Sequence, residues 1–325
     1  MKGITILLPN LNRSLWGLIS SFVVYSENFK VPIRFNFNEE YIKLRFGGAS
    51  SFAVIIFNDK EYLVDLQDNP KAYEFFSDYE LVFKRSYSTY LTYANKVVPY
   101  GFRIDQTVTL SSIISRSNFL SFRNLNKRNL KEIRRSSVMN KIFTKDLFEN
   151  RIREIHSFLS TDIVDYNGRI AYSARFWKED GRDDRIKINR QRTLIFNYLS
   201  KSGLECFTST KFISQKEWIR ILNQSNIIVV NNGLHDVPGL RIAEATIFSK
   251  CPVSPALNVI IPGYFEGENY IRIMDNVDDL EPVLVNLLGE KKYLIVQKNN
   301  LLYSNKYLLG SRKAEYIMSE IKKER

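Results

Sequence analysis

From residue 170 onward, short apolar runs alternate with amphipathic stretches of about ten residues, and few folds accommodate that pattern. Residues 170–174, 204–207, 227–230, 252–253 and 270–273 read as strands. Residues 189–201, 215–222 and 240–248 read as helices between them. Leu194, Ile195, Tyr198 and Leu199 share one face of the first helix, and Trp218, Ile219 and Leu222 one face of the second. Gly203 stands where a left-handed helix cap belongs. Helices at 277–288 and 292–302 follow, then a terminal helix at 306–323. A strand reaches a parallel neighbour only through a crossover, so this order predicts βαβ units and a parallel sheet.

The first half is less regular. Residues 4–8 read as a strand and about 15–25 as a helix. Strands are then expected at 31–37, 51–57, 62–66, 79–83 and 96–98, with Asn58-Asp59-Lys60 as a turn signal. A chain of 325 residues is too long for one small core. The expected division is an N-terminal domain at 1–160, a C-terminal domain at 161–305, and a helix at 306–325 that returns to the first domain.

Composition narrows the function classes. Hydrophobic residues make up 44% and charged residues 25%, as in an ordinary globular protein. The two cysteines, Cys206 and Cys251, lack metal-ligand spacing and read as reduced, buried thiols. No apolar run approaches the roughly 20 residues of a membrane-spanning helix, and no signal peptide is evident at Met1, so a cytoplasmic location is expected. The net charge is +12, and Arg116–Arg153 holds eleven Lys/Arg against three Asp/Glu. That block suits an anionic membrane surface at the inner face of the cell membrane, or simply a solvated helical face. Charge alone would also suit nucleic acid, but no nucleic-acid-binding motif accompanies it.

The chemistry concentrates after the strand at 227–230. Asn231-Asn232-Gly233-Leu234-His235-Asp236-Val237-Pro238-Gly239 forms a polar loop that opens the helix beginning at Leu240. N–H groups at a helix start face anions. Asp236 and Glu244 bracket the junction, and a carboxylate can hold a pair of sugar hydroxyls. Either acid also has a plain reading, Asp236 as a helix cap and Glu244 as a helix acid favoured by the dipole.

Asp236 to Val253, with two acids eight positions apart, a Pro-Gly helix start and Cys251-Pro252-Val253 after the helix, resembles the donor-binding motif of GT-B glycosyltransferases of the retaining, group 1 kind. Asp236 stands where that family usually has Glu. Ile170 to Lys178 resembles the first strand of the family's C-terminal domain, which ends in an Arg followed by a Lys; Arg175 matches, and Lys178 comes sooner than usual, with Arg182 and Lys187 as alternatives for that position. Phe83-Lys84-Arg85-Ser86 and the segment 97–102 are similar to some bacterial members. The resemblance covers most of residues 165–290.

It implies a GT-B architecture: two Rossmann-like domains with parallel sheets facing across a cleft. It implies a hexosyltransferase-like activity, moving a sugar from a nucleotide-sugar donor to a lipid-linked or polysaccharide acceptor of the lipopolysaccharide or capsule type, with retention. It further implies that Arg175 and Lys178 neutralise the diphosphate, that the backbone at Gly239 and Leu240 assists them, and that Glu244 holds the ribose. Asp236 would meet the donor sugar, with His235 near the donor. Such a site needs no metal and no cofactor beyond the donor substrate, because fixed cations stabilise the leaving phosphate. A GT-B-like binding protein without catalysis would carry the same pattern.

Overall fold

The computed structural model describes residues 3–9, 15–47, 51–93, 96–102, 116, 163–178, 183–233 and 238–324. The chain divides into two compact units, Met1–Arg151 with Tyr307–Arg325, and Ile152–Lys306.

The first unit contains β1 (Ile4–Leu8), α1 (Trp16–Phe29), β2 (Ile33–Phe37), α2 (Glu39–Phe46), β3 (Phe52–Phe57), β4 (Lys60–Asp65), β5 (Leu81–Lys84) and β6 (Val97–Pro99). Its sheet runs β2-β1-β3-β4-β5-β6. The expectation of a parallel sheet needs correction here. β1–β2, β4–β5 and β5–β6 are parallel, but β3 lies antiparallel to both β1 and β4. The cause is local. Asn58 and Asp59 both hold positive φ, 54° and 62°, which is the two-residue hairpin turn that matches strand twist. So short a link cannot make a crossover. Helix α2 lies outside the expected elements. Only Ile42 and Phe46 are buried on it, so eight residues show no readable period. It forms because the Asn38 side chain accepts the Tyr41 N–H at 3.0 Å, acids fill the first turn, and Gly47 ends it with φ 61°.

The second unit contains β7 (Ile170–Ser173), α3 (Asp183–Lys201), β8 (Cys206–Ser209), α4 (Gln215–Asn223), β9 (Ile227–Val229), α5 (Leu240–Ile247), β10 (Cys251–Pro255), β11 (Ile271–Ile273), α6 (Leu280–Gly289) and α7 (Lys292–Tyr303). Every pairing is parallel and the order is β11-β10-β9-β7-β8. Along β9, Ile227 and Val229 join the core cluster with Ile195, Leu199, Leu280 and Leu284, while the alternate residues Ile228 and Val230 are buried on the other face. A strand buried on both faces reads as a continuous apolar run. Gly203, with φ 68°, follows α3 as the sequence implied.

The turn before β7 is tightly built. Asn226 accepts the N–H groups of Tyr166 and Gly168 at 2.7 and 3.2 Å and donates to the Val164 carbonyl at 3.0 Å. Gly168 holds φ +75°, and a Cβ there would lie 2.2 Å from Leu288 Cδ2.

After a π-helical turn at Ser304–Leu308, α8 (Arg312–Lys323) belongs to the first unit. Ala314, Ile317, Met318 and Ile321 join its core against α1. Lys313 Nζ donates to the Tyr100 carbonyl at 2.6 Å, and Tyr316 OH to the Pro99 carbonyl at 2.7 Å. Both cysteines are free thiols, Cys251 fully buried and Cys206 half-buried. Among the described residues no helix is long and apolar enough to cross a membrane.

Candidate anion-binding site at the switch point of the second sheet

In the second sheet the strand order reverses between β7 and β9, because β7 connects outward to β8 while β9 leads the other way to β10. At such a switch point the two adjacent loops diverge and leave a crevice beyond the carboxyl ends, where open α/β sheets bind ligands. β7 and β9 are hydrogen-bonded neighbours, Tyr172 opposite Val229, so the loops starting at residues 174 and 230 leave the sheet side by side. Arg175 and Lys178 lie in the first loop; Gly239, Leu240 and Glu244 lie in or after the second. His235 and Asp236 lie outside the described residues, as does the basic block beyond Arg116.

The 174–178 loop is clamped by α3. Asn189 accepts the Trp177 N–H at 3.0 Å and donates to the Trp177 carbonyl at 2.9 Å. Arg192 Nη1 donates to the Arg175 carbonyl at 2.5 Å, and its guanidinium lies 4.4 Å from the Trp177 ring centroid. Arg175 and Lys178 project exposed side chains from this fixed backbone. Arg192 itself is only 8% exposed, and among the described residues its Nε has no hydrogen-bond partner and no carboxylate pairs with it. Burial holds its pKa below the usual arginine value; Tyr172 acts against that shift and the neighbouring charge of Arg175 adds to it.

On the other side, Gly239 caps α5 in extended conformation, and a Cβ there would lie 3.3 Å from the Asn231 carbonyl oxygen. A side chain would therefore need the Asn231 carbonyl to give way by a few tenths of an ångström. Leu240 is half exposed in the first turn. That turn has no acid and carries Arg241 instead, against the usual preference for negative charge at a helix start.

Glu244 is 4% exposed and already engaged. Its Oε2 accepts from Trp218 Nε1 and from Arg241 Nη1, both at 2.8 Å. The Arg241 guanidinium also stacks 4.1 Å from the Trp218 ring centroid. A buried carboxylate must be paired, and here α4 and α5 supply both partners. Asn232 in the same loop is buried; its Nδ2 donates to the Ala256 carbonyl at 2.9 Å and its Oδ1 has no partner.

Sequence reasoning overlooked Arg192 and Arg241. Arg192 looked like one more polar residue of an amphipathic helix, and only its burial marks it. Arg241 could have been noticed as a cation in a helix's first turn. Among the described residues no group of three or more His, Cys, Asp or Glu side chains is placed to hold a metal ion.

Fold and site define a class: an α/β protein whose second unit is a doubly wound parallel sheet with cations at its switch point. No protein-family model matches the sequence, and no curated protein matches it. Among solved structures, the chain is similar to the crystal structure of a glycosyltransferase from Rickettsia africae ESF-5, at 10% identity and a TM-score of 0.43, over 97% of this chain and 82% of that one. Likeness of that degree does not carry an activity from one protein to the other.

Proposed function

We propose that the protein is a nucleotide-sugar-dependent glycosyltransferase of the GT-B type. The observation that carries the reading is the placement of Arg175 and the Gly239-capped start of α5 on adjacent loops at the switch point. Breaking the sugar–phosphate bond builds negative charge on a diphosphate leaving group. Fixed guanidinium and helix-start N–H groups stabilise that charge without reorganising. Arg suits the task because its planar fork meets phosphate oxygens in pairs.

In this reading Arg175 and Lys178 face the diphosphate, and Gly239 lets the backbone of α5 approach it. Glu244 contributes in one of two ways, accepting ribose hydroxyls through Oε1 or holding Arg241 in place through Oε2. Asp236 and His235 would meet the donor sugar. Transfer proceeds with retention and needs no metal, the leaving phosphate taking the acceptor's proton. The acceptor is a lipid-linked or polysaccharide glycan, reached at the cytoplasmic face of a membrane through the basic block 116–153. The engagement of Glu244 by Trp218 and Arg241 favours one second reading, a protein that binds the nucleotide without turning it over.

A thermal-shift panel of UDP, GDP, ADP, CMP and their sugars tests the proposal. One nucleotide should raise the midpoint, and Arg175→Ala should remove the rise without altering the unliganded midpoint. No shift with any of them refutes nucleotide binding and both readings with it. A shift without release of nucleotide from the matching sugar donor, across an acceptor panel, selects the second.

A further inference from the structure

We propose that Arg192 is a positioning residue that makes the loop after β7 a preformed seat for a pyrophosphate group by lending Arg175 a second positive charge. The inference rests on the glycosyltransferase reading only for the identity of the natural ligand; the seat stands on its own geometry.

Three observations carry it. First, Arg192 is 8% exposed and no carboxylate among the described residues pairs with it. A buried charge is ordinarily paired, since its lost hydration must be replaced. Lys84, a buried cation of the first unit, shows the ordinary solution with Asp65 at 2.7 Å. Second, the partners of the Arg192 guanidinium are neutral, and both belong to the loop that carries Arg175: the Arg175 carbonyl at 2.5 Å and the Trp177 ring at 4.4 Å. Its Nε remains without a partner. Third, Arg175 stands beside it, so two like charges share one end of one strand. Like charges brought together, one of them buried, with no acid paired to it among the described residues, are costly to the empty protein and favourable to an anion that arrives. The charge required is more than one unit and lies at the carboxyl end of β7, where α/β sheets receive phosphates. Pyrophosphate, free or as part of a nucleotide, has that charge and can span two cations.

Asn189 fixes Trp177 through both its backbone groups, so the loop keeps its shape when Arg192 is altered. Charge and architecture are therefore separable. The experiment is a pyrophosphate titration by calorimetry and thermal shift on the full chain, in wild type and Arg192→Met, at two salt concentrations. Wild type should bind, more weakly at high salt. Arg192→Met should fold with an unliganded midpoint no lower than wild type, because an uncompensated buried charge is gone. It should bind pyrophosphate at least about tenfold more weakly.

Equal affinity of the two for pyrophosphate overturns the proposal. An unliganded midpoint that falls while affinity holds shows a purely structural role. If Arg192→Met does not fold, Arg192→Lys decides: retained charge predicts affinity within about threefold of wild type, and a loss of about tenfold or more overturns the charge argument. Wild type that is stabilised by a nucleoside diphosphate but ignores pyrophosphate refutes the seat and leaves the function standing. Binding of neither refutes both.

Discussion

Lys84 at the end of β5 and Arg192 beneath the end of β7 are both buried cations under the carboxyl edge of a sheet, yet their surroundings differ. Lys84 faces Asp65 across a parallel pairing, with both side chains 0% exposed, and donates a second bond to the Asn69 carbonyl at 2.9 Å. Burial pushes the Asp65 carboxyl up and the Lys84 amine down, each resisting charge that has lost its water. Around the pair the segments before and after β5 close on each other: Ser86 donates to the Gln67 carbonyl at 2.6 Å, and Tyr93 OH donates to the Pro70 carbonyl. The charge there is consumed internally. At β7 no carboxylate among the described residues neutralises Arg192, and Arg175 extends the positive charge toward solvent. The same kind of residue thus closes one sheet end and, at the other, stands without a carboxylate partner among the described residues.

The largest expected effect tests that contrast directly. Asp65→Ala strands a buried ammonium and should cost about 3–5 kcal/mol in urea unfolding, whereas Arg192→Met should cost little or stabilise. Equal losses would mean that Arg192 is as fully compensated as Lys84. The next effect concerns ligand. Arg175→Ala should change unliganded stability by no more than about 0.5 kcal/mol. It should also abolish the roughly 2.7 kcal/mol of protection that a nucleoside diphosphate gives at a hundredfold excess over its dissociation constant. Retained protection would move the site away from β7.

A smaller effect sharpens the α5 side. Trp218→Phe removes the indole N–H from Glu244 and should cost about 1–2 kcal/mol, measured by chemical denaturation. It should also weaken nucleotide binding if Arg241 depends on the stack; an unchanged affinity would separate Arg241 from the ligand. The gentlest effect is a pH slope. Burial lowers the amines of Lys313 to about 7 and Lys250 to about 8. From pH 7 to pH 8 the unfolded chain still binds protons that the folded chain has released, so unfolding free energy should rise with pH. The slope should be at most about 1.4 kcal/mol per pH unit for each amine. Lys313→Met should flatten it, and a slope unchanged in that variant would show the amine to be charged in the fold.

The second unit was readable where its central strands are covered on both faces. Ile227 to Val230 is buried throughout, so the apolar run and the strand coincide. The first unit was harder. Helix α2 buries two residues and announces itself mainly through its Asn38 cap and Gly47 stop, and the segments on either side of β5 are held by side-chain bonds to carbonyls, which leave no period in the sequence. Helix α3 begins at Asp183, six residues before the apolar stripe at Asn189 suggested, because its first turns are polar.

The sequence by itself determined the alternation that builds a doubly wound sheet, the Asn58-Asp59 hairpin, and the two loops that bear Arg175 and Gly239. Those features are local: a turn, a cap or a period is written within a few neighbouring residues. Only the tertiary structure decided which polar residues became buried and with whom. It paired Lys84 with Asp65 from 19 residues away and closed Glu244 between Trp218 and Arg241 across two helices. It left Arg192 among neutral partners, because packing sets the proximity of charges and the price of burying them, and neither is a property of any one stretch of chain.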